Sequence, residues 1–383
     1  MIVRDYQPLY KRLDDAHDML FKTDDEETKL ALANYIGNVY RAIICMGDGS
    51  VSVDKYRCFG GKKNYQQFMK KLDSYSDELM ENFLRHKDFH EQFFGEILPD
   101  VEEGLADICK IPVLDVEELS ERDFFDILYL FLDSIHLEKV FDEFYKNHQI
   151  YSSVIGQDKG NLGFTLYNPV SSETDLFIKN FQFNFPCMNT LVHEFGHGFD
   201  LKRFRGNIQD YNSYFYVSFF GEVIPRVLER LLHQFCIKNN VLVNQVKDDY
   251  VNFEDISHDY LLASYVLSLL DSAFLKNDGF IDCDSDVIVK KIQKHFLDGN
   301  VLKEFIERMQ PIDLSDTYCY SYGDILSMFL SDEAEKNGMN SELMEYFYER
   351  RTKPFDEEFM RECGFGPANY VKLYKKEIEL IKK

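Results

Sequence analysis

Two histidines four residues apart, His193 and His197, restrict the local structure of this chain more than any other pair of residues. On an α-helix, residues at this spacing lie one turn apart on the same face, so both imidazoles can reach one metal ion. Glu194 directly follows the first histidine, which is the position of the general base in helical zinc sites of this kind. The segment therefore predicts a helix that provides half of a zinc site and a carboxylate next to it.

The residues around the two histidines are mostly apolar, among them Leu191, Val192 and Phe199, which is typical of a buried helix. Gly196 and Gly198 each cost about 1 kcal/mol relative to alanine in a helix interior. Two such residues in one buried helix indicate that another segment approaches closely there.

The third zinc ligand must come from elsewhere, because a catalytic zinc ion usually takes three protein ligands and keeps one position for water. Arg203 occupies the position at which the extended metzincin pattern has a third histidine, which excludes that pattern. The best remaining candidate is Glu222, within a stretch of apolar residues with helical spacing. Pro225 follows it by three residues and is tolerated in a first helical turn, so Glu222 is predicted at a helix start or kink.

Several segments accompany the histidine pair. Glu222 follows His193 by 29 residues, and Glu229 follows Glu222 by seven. The other segments are the upstream stretches Gly163–Thr165 and Asp175–Phe181 and the downstream tyrosine-rich stretch Tyr318–Gly323. In order and spacing, over about residues 120 to 330, they resemble the oligoendopeptidase F and thimet oligopeptidase group of zinc peptidases.

The resemblance implies a mainly α fold of the gluzincin type, with a small β-sheet next to the zinc helix and a substrate cleft between helical lobes. It implies one zinc ion (Zn²⁺), held by His193, His197 and Glu222. It also implies that the protein is a metalloendopeptidase that hydrolyses short peptides, with zinc-activated water as the nucleophile and Glu194 as the general base.

Two further roles follow from the same resemblance. A tyrosine hydroxyl opposite the metal would donate a hydrogen bond to the oxygen that becomes negative during hydrolysis. Tyr318 and Tyr320 are both suitable, and the resemblance favours Tyr320. Glu229 is expected to orient a zinc-bound histidine, with a solvated position on a helix face as the alternative.

The chain departs from the family pattern at Ile312, where a histidine usually precedes the tyrosines by about six residues. The part before the zinc motif is also shorter than in the family. Two alternatives follow: a catalytically weak or inactive zinc-containing peptide-binding protein of the same fold, and a structural helical protein with an accidental motif. The intact Glu194 argues against the inactive peptide-binding protein.

The stretch Asp175–Phe181 is short, β-favouring and flanked by polar turns, which predicts a strand. An edge strand next to a zinc helix would offer unpaired backbone groups to an extended peptide. On this interpretation Phe177, Ile178, Lys179 and Asn180 bind the substrate through main-chain hydrogen bonds. An ordinary core strand is the alternative.

The charge of the chain limits its partners. It has 67 acidic and 43 basic residues and a net charge of −24, which argues against nucleic acid and anionic membrane surfaces as partners.

The longest mainly apolar stretch, Tyr260–Leu270, is too short to span a bilayer. No apolar signal segment follows Met1 and the eight cysteines contain no CxxC pair, so we expect a cytoplasmic protein with reduced thiols.

Helical periodicity covers most of the chain, in the ranges 1–45, 63–95, 120–148, 212–237, 256–276, 286–308 and 320–349. We predict an N-terminal helical lobe at residues 1–150 and a catalytic lobe at 151–383, with one continuous domain as the alternative.

Ser120 is predicted as a helix N-cap, with Asp123 three residues later. The other histidines lack ligand spacing toward the motif and are expected on the surface or in the core: His17, His86, His90, His136, His148, His233, His258 and His295.

Overall fold

The computed structural model describes residues 7–45, 80–110, 118–147, 150–152, 162–168, 173–204, 220–271, 285–295, 299–309, 314–351 and 357–383, with short pieces at 61–63, 66–67, 70, 170, 353 and 355. The described chain is mainly helical, as predicted. Its helices, in chain order, are α1 (Gln7–Lys22), α2 (Glu26–Cys45), α3 (Lys87–Ile108), α4 (Glu121–Ser134), α5 (Glu138–Lys146), α6 (Phe185–Phe204), α7 (Val223–Lys238), α8 (Val243–Leu269), α9 (Ser285–Ile292, followed by the 3₁₀ turn Gln293–His295), α10 (Gly299–Met309), α11 (Leu314–Asn337), α12 (Glu342–Arg350), α13 (Glu357–Glu362) and α14 (Pro367–Lys382). The strands are β1 (Ile150–Ser152), β2 (Leu162–Tyr167) and β3 (Thr174–Lys179).

Local sequence signals explain where several helices begin and end. The Ser120 hydroxyl accepts a hydrogen bond from the Asp123 backbone N–H and caps α4, as predicted. The predicted range 120–148 is divided into α4 and α5 near His136, whose φ of 61° is incompatible with a continuous helix. Gly338, at φ 82°, ends α11 in the left-handed conformation that favours glycine.

The three strands form one sheet in the order β1–β3–β2, in which β1 runs parallel and β2 antiparallel to β3. The stretch predicted as an edge strand is therefore the central strand, and that prediction is wrong. Phe177 and Ile178 are buried and each pairs with a residue on both neighbouring strands. Lys179 pairs with Leu162 of β2, and Asn180 follows the end of the strand, so the predicted substrate-binding segment has no free edge at Phe177 and Ile178 to offer.

The sheet lies between two helical layers. Alternate side chains of a strand point to opposite faces, and Leu176 accordingly packs against α6 while Phe177 packs with Leu166 under α1 and α2. Arg12 of α1 forms an ion pair with the buried Asp175 of β3 at 2.7 Å. This layering places one face of the sheet directly against the helix that carries the histidine pair.

The largest cluster of buried apolar side chains runs from α3 through α6, α7, α8 and α11 to α14. Helix α7 packs on α6 and α11, and α8 packs on α3 and α11. Phe94 of α3 and Leu267 of α8 belong to the same cluster. The cluster thus contains residues from both sides of position 150, and the division into lobes at that position stays a prediction.

Within the described residues, none of the helices combines the length and the apolar character that a bilayer crossing requires.

Candidate metal centre

The histidine pair lies on α6, where two glycines allow neighbouring segments to approach. A Cβ atom at Gly196 would come within 2.7 Å of the Cα atom of Pro225 in the first turn of α7. A Cβ atom at Gly198 would be 3.0 Å from the Phe144 ring and 3.1 Å from Leu176. The close approach predicted from the two glycines is thus confirmed, and it presses the start of α7 against the face of α6 that carries the histidines.

Glu222 occupies the N-cap position of α7, so its predicted location at a helix start is confirmed. Its side chain makes no capping hydrogen bond to the helix. It extends toward α6 instead, and its Oε2 atom is buried with no hydrogen-bond partner. Burying a carboxylate oxygen without a hydrogen bond is costly, and a cation at this position would offset that cost.

The structure brings the three predicted ligands His193, His197 and Glu222 together. The two Nε2 atoms are 3.2 Å apart, and the Glu222 carboxylate oxygens lie 3.4 Å from His193 Nε2 and 3.7 Å from His197 Nε2. Ligand atoms about 2.0–2.2 Å from a tetrahedral zinc ion are about 3.3–3.6 Å from one another. The spacing therefore fits three vertices of a zinc tetrahedron. The three side chains are 15–21% exposed, which leaves a side of the cluster open to solvent.

The charges around the two imidazoles favour a cation between them. Burial lowers the pKa of His193, but the nearby carboxylates of Glu229 and Glu222 outweigh burial and raise it to about 9. The pKa of His197 falls to about 4 because burial and the neighbouring His193 outweigh the effect of Glu222. The carboxylates of Glu229 and Glu222 therefore favour a positive charge at this position. A divalent cation between the two imidazoles would be stabilised by the same carboxylates.

Glu194 lies beside the cluster and is held by strand β2. Its Oε2 atom accepts a hydrogen bond of 2.7 Å from the Thr165 hydroxyl. Gly163 provides the space for this side chain, since a Cβ atom there would be 2.3 Å from Glu194 Oε1. Burial raises the pKa of Glu194 to about 7, although His193 and Thr165 oppose the shift. A carboxylate with this pKa is suited to proton transfer near neutral pH.

Both histidine rings also have partners outside the cluster. His193 Nδ1 is 3.3 Å from Glu229 Oε2, and the backbone of Gly221 hydrogen-bonds to the His197 ring. Burial acts to raise the pKa of Glu229, but His193 and Arg226 lower it to about 2, so this residue is a carboxylate. Metal-binding histidines usually donate their second N–H to a carboxylate or a carbonyl. Both rings meet that condition, and Glu229 is buried rather than solvated.

Tyr318 does not face the cluster of His193, His197 and Glu222, so its predicted role as a catalytic donor is wrong. Its side chain is fully buried, and its hydroxyl is hydrogen-bonded to Nε2 of the buried His90. The Nδ1 atom of His90 bonds to Tyr322, one turn further along α11. The physical reason for the error is helix phase, because two residues two apart differ by about 200° around an α-helix.

Tyr320 lies on another face of α11 and is only partly buried. Its ring stacks on Tyr260 with a centroid distance of 4.4 Å, and the Arg226 guanidinium lies 5.8 Å from its centroid. Gly323, one turn later, packs against Glu222. Of the two tyrosines, Tyr320 is thus the one on the same face of α11 as Gly323, which contacts Glu222.

Three residues that contact the cluster or its partners had no predicted role of their own. Thr165 alternates with Gly163 on one face of β2, and that period of two was a usable signal for a shared surface. Asn189 is a polar residue one turn before His193 in an apolar stretch, which was a usable signal for a buried polar contact. Asp249 comes from α8 and has no local signal in the sequence.

Ile312, where the family pattern has a histidine, lies outside the described residues. The chain matches no protein-family model, and searches of curated proteins and of solved structures likewise found no match.

Proposed function

We propose that the protein is a zinc-dependent metalloendopeptidase that hydrolyses short peptides. The observation that carries this proposal is the approach of His193, His197 and Glu222 from two helices to separations of 3.2–3.7 Å. Two imidazole nitrogens and one carboxylate, with a side open to solvent, are the donor set of catalytic rather than structural zinc sites. The resemblance to the oligoendopeptidase F and thimet oligopeptidase group supports the choice of peptides as substrates.

A zinc ion at this cluster would lower the pKa of a water molecule and polarise a peptide carbonyl. Glu194 accepts the proton of the attacking water and returns it to the leaving amine. Thr165 holds the Glu194 carboxylate through its hydroxyl, so the base is oriented before the substrate arrives. Glu229 and the backbone of Gly221 fix the two imidazole rings.

Strand β2, rather than β3, is the strand that we propose for substrate binding. Among the described strands it pairs only with β3, so its second edge is not part of the described sheet. Thr165 of this strand contacts Glu194 directly. A peptide that added to this edge would place its backbone within reach of the base, and main-chain pairing leaves side-chain preference loose.

Tyr320 is the proposed donor to the oxygen that becomes negative in the reaction. Its partial burial and its place on the α11 face next to Gly323 and Glu222 support this role. The adjacent Arg226 brings a positive charge to the same region. A hydrogen-bond donor that strengthens in the transition state acts on kcat more than on KM.

The test begins with the metal content of the purified protein, followed by incubation with a mixed peptide library with and without a chelator. Glu194→Gln should retain one zinc ion and lower turnover of a fluorogenic peptide by about 100-fold or more. Glu342→Gln, on the exposed surface of α12, is the matched acid-to-amide control and should cleave normally.

Three outcomes would contradict the proposal in different ways. Protein without bound metal favours a structural helical protein. Zinc without peptide cleavage favours the zinc-containing peptide-binding protein. Unchanged turnover in Glu194→Gln would remove this residue from the role of general base.

A further inference from the structure

A row of polar side chains, here called the ladder, continues from the proposed metal ligands into the interface between α6 and α7. The two helices run antiparallel there, so side chains one turn apart on α6 meet side chains one or two turns apart on α7. The ladder residues are Asn189, His193 and His197 on α6, Glu222 at the N-cap of α7 and Glu229 on α7. His193, His197 and Glu222 form one end of the ladder, and the other end, at Asn189 and Glu229, is buried.

Asn189 joins the buried end of this ladder to a third helix. Its Nδ2 atom donates to Glu229 Oε1 at 3.4 Å and to Asp249 Oδ2 of α8 at 2.8 Å. At both contacts the amide NH₂ group donates and a carboxyl oxygen accepts. The orientation of the Asn189 amide is thereby fixed, with its NH₂ group between two acidic side chains.

The outer partner is itself held in place. Asp249 Oδ2 lies 2.9 Å from Nε2 of His233, which is fully buried among Phe185, Tyr250 and Phe253. Asn189 is only 7% exposed, so water cannot readily replace its amide. A rigid, buried donor therefore links a fixed acidic group on α8 to the carboxylate that faces His193.

Glu229 has different partners at its two carboxyl oxygens. Its Oε2 atom lies 3.3 Å from His193 Nδ1 and 3.8 Å from Arg226 Nε, while its Oε1 atom accepts from Asn189. Without the Asn189 amide, the Glu229 and Asp249 carboxylates would face each other with no donor between them. Glu229 would then turn away from Asp249 and change its position relative to the His193 ring.

We propose that Asn189 is a positioning residue of the metal centre, which holds Glu229 in the orientation that fixes His193 for metal binding. This inference rests on the proposed function, in which His193 is a zinc ligand. Asn189 acts through Glu229 and touches neither metal nor substrate. Glu229 is the direct partner of a proposed ligand, and replacing such partners commonly changes metal affinity by about 10- to 100-fold.

The test uses the full chain with Asn189→Leu, which keeps the size of the side chain and removes the amide. Zinc affinity is measured by competition with a chromophoric chelator, and ligand geometry by the absorption spectrum of the cobalt-substituted protein. We expect the zinc dissociation constant to rise about tenfold and the cobalt spectrum to change. If Asn189→Leu does not fold, Asn189→Ser, which also removes the amide, takes its place.

Two comparisons separate positioning from a general effect on stability. In a Glu229→Gln background, replacement of Asn189 should add little to the loss of zinc affinity, because coupled residues are not additive. The matched control is Asn82→Leu. Asn82 is 6% exposed and donates to the Phe355 carbonyl, in a hydrogen bond that does not involve the ladder residues. This variant should unfold more easily but bind zinc with wild-type affinity.

The outcomes distinguish the two proposals. Wild-type protein that binds neither zinc nor cobalt would overturn the metal site, and the role of Asn189 with it. Wild-type protein that binds zinc, together with an Asn189 variant of unchanged affinity and cobalt spectrum, would overturn the positioning role alone. Fully additive losses in the Glu229→Gln background would also overturn it.

Discussion

Gly323 of α11 lies directly against Glu222 at the start of α7. A Cβ atom at Gly323 would be 2.7 Å from the Glu222 Cβ atom and 3.3 Å from its carbonyl carbon. On the opposite side, Gly196 of α6 allows the same turn of α7 to approach within van der Waals contact at Pro225. Glu222 is thus placed by two glycines on two helices, and a methyl group on either one would move it.

The first prediction concerns Gly323→Ala. The added methyl group must push Glu222 away, because the atoms that it meets are the Cβ atom and the backbone rather than the end of a flexible side chain. We expect zinc affinity to fall by about 10-fold or more, since one of three ligands is displaced. Competition with a chromophoric chelator measures the change.

Gly37→Ala is the control for this substitution. Gly37 lies inside α2, and a Cβ atom there would meet nothing within 4 Å. Alanine at such a position should stabilise the protein by about 0.4–1 kcal/mol and leave metal affinity unchanged. Equal zinc affinity in the two variants and the wild type would show that Gly323 does not position Glu222.

The second prediction concerns Gly163→Ala on β2. The new methyl group would meet the Glu194 carboxylate at 2.3–2.6 Å, so the base must leave its place beside Thr165. The three metal ligands are not touched. We therefore expect kcat for a fluorogenic peptide to fall by about 10- to 100-fold while one zinc ion stays bound.

Thr165→Val provides the comparison for Gly163→Ala. It removes the hydrogen bond to Glu194 but leaves the space at Gly163 open. Its loss of kcat should be smaller than that of Gly163→Ala, because the carboxylate loses one partner without being displaced. The reverse order of the two losses would mean that Gly163 is not the residue that makes room for the base.

The parts of the site that depend on short-range spacing could be predicted from the sequence. The separation of His193 and His197 determines a shared helix face, and Pro225 predicted Glu222 at a helix start. Gly196 and Gly198 predicted close approach of other segments to the helix, and such segments do contact the helix at both positions. These features follow from helix geometry alone, so no tertiary information was needed.

The parts that failed depend on non-local pairing or on helix phase. The composition of β3 predicts a strand, but its central position also depends on pairing with β1, in which Ile150 pairs with Leu176 from 26 residues earlier in the chain. Tyr318 and Tyr320 are both plausible donors until α11 is known to begin at Leu314 and to turn Tyr318 toward His90. Asp249 could not be predicted, because α8 brings it to Asn189 from 60 residues away.

The third prediction concerns stability. Arg230 of α7 is fully buried and contacts three buried carboxylates, those of Glu254, Asp324 and Glu377. Arg230→Met would leave these acidic groups without their cation. Breaking a buried ion pair by removing one partner costs about 3–5 kcal/mol, and urea unfolding measures the loss.

The exposed pair of Arg122 and Asp126 on α4 is the control for Arg230. Its side chains are 88% and 64% exposed, so Arg122→Ala should change the free energy of unfolding by less than about 1 kcal/mol. A loss at Arg230 as small as the loss at Arg122 would contradict a structural role for the buried network.

The fourth prediction is a pH dependence of stability that originates at His90. This side chain is fully buried between the hydroxyls of Tyr318 and Tyr322. Burial, and secondarily the charge of His86, holds the pKa of His90 well below its usual value. In the unfolded chain a histidine has a pKa of about 6.5. Below that pH the unfolded state binds a proton that the folded state does not accept.

The stabilising effect of a neutral His90 is therefore complete above pH 6.5 and is lost as the pH falls toward the lower folded pKa, by about 1.4 kcal/mol per pH unit. His90→Gln keeps a donor and an acceptor for the two tyrosines but cannot titrate. The free energy of unfolding should fall between pH 7.5 and 5.5 by about 1.4 kcal/mol more in the wild type than in this variant. Asn82→Leu, with His90 intact, should keep the wild-type slope. Parallel slopes for wild type and His90→Gln in urea unfolding would show that His90 is protonated equally in both states.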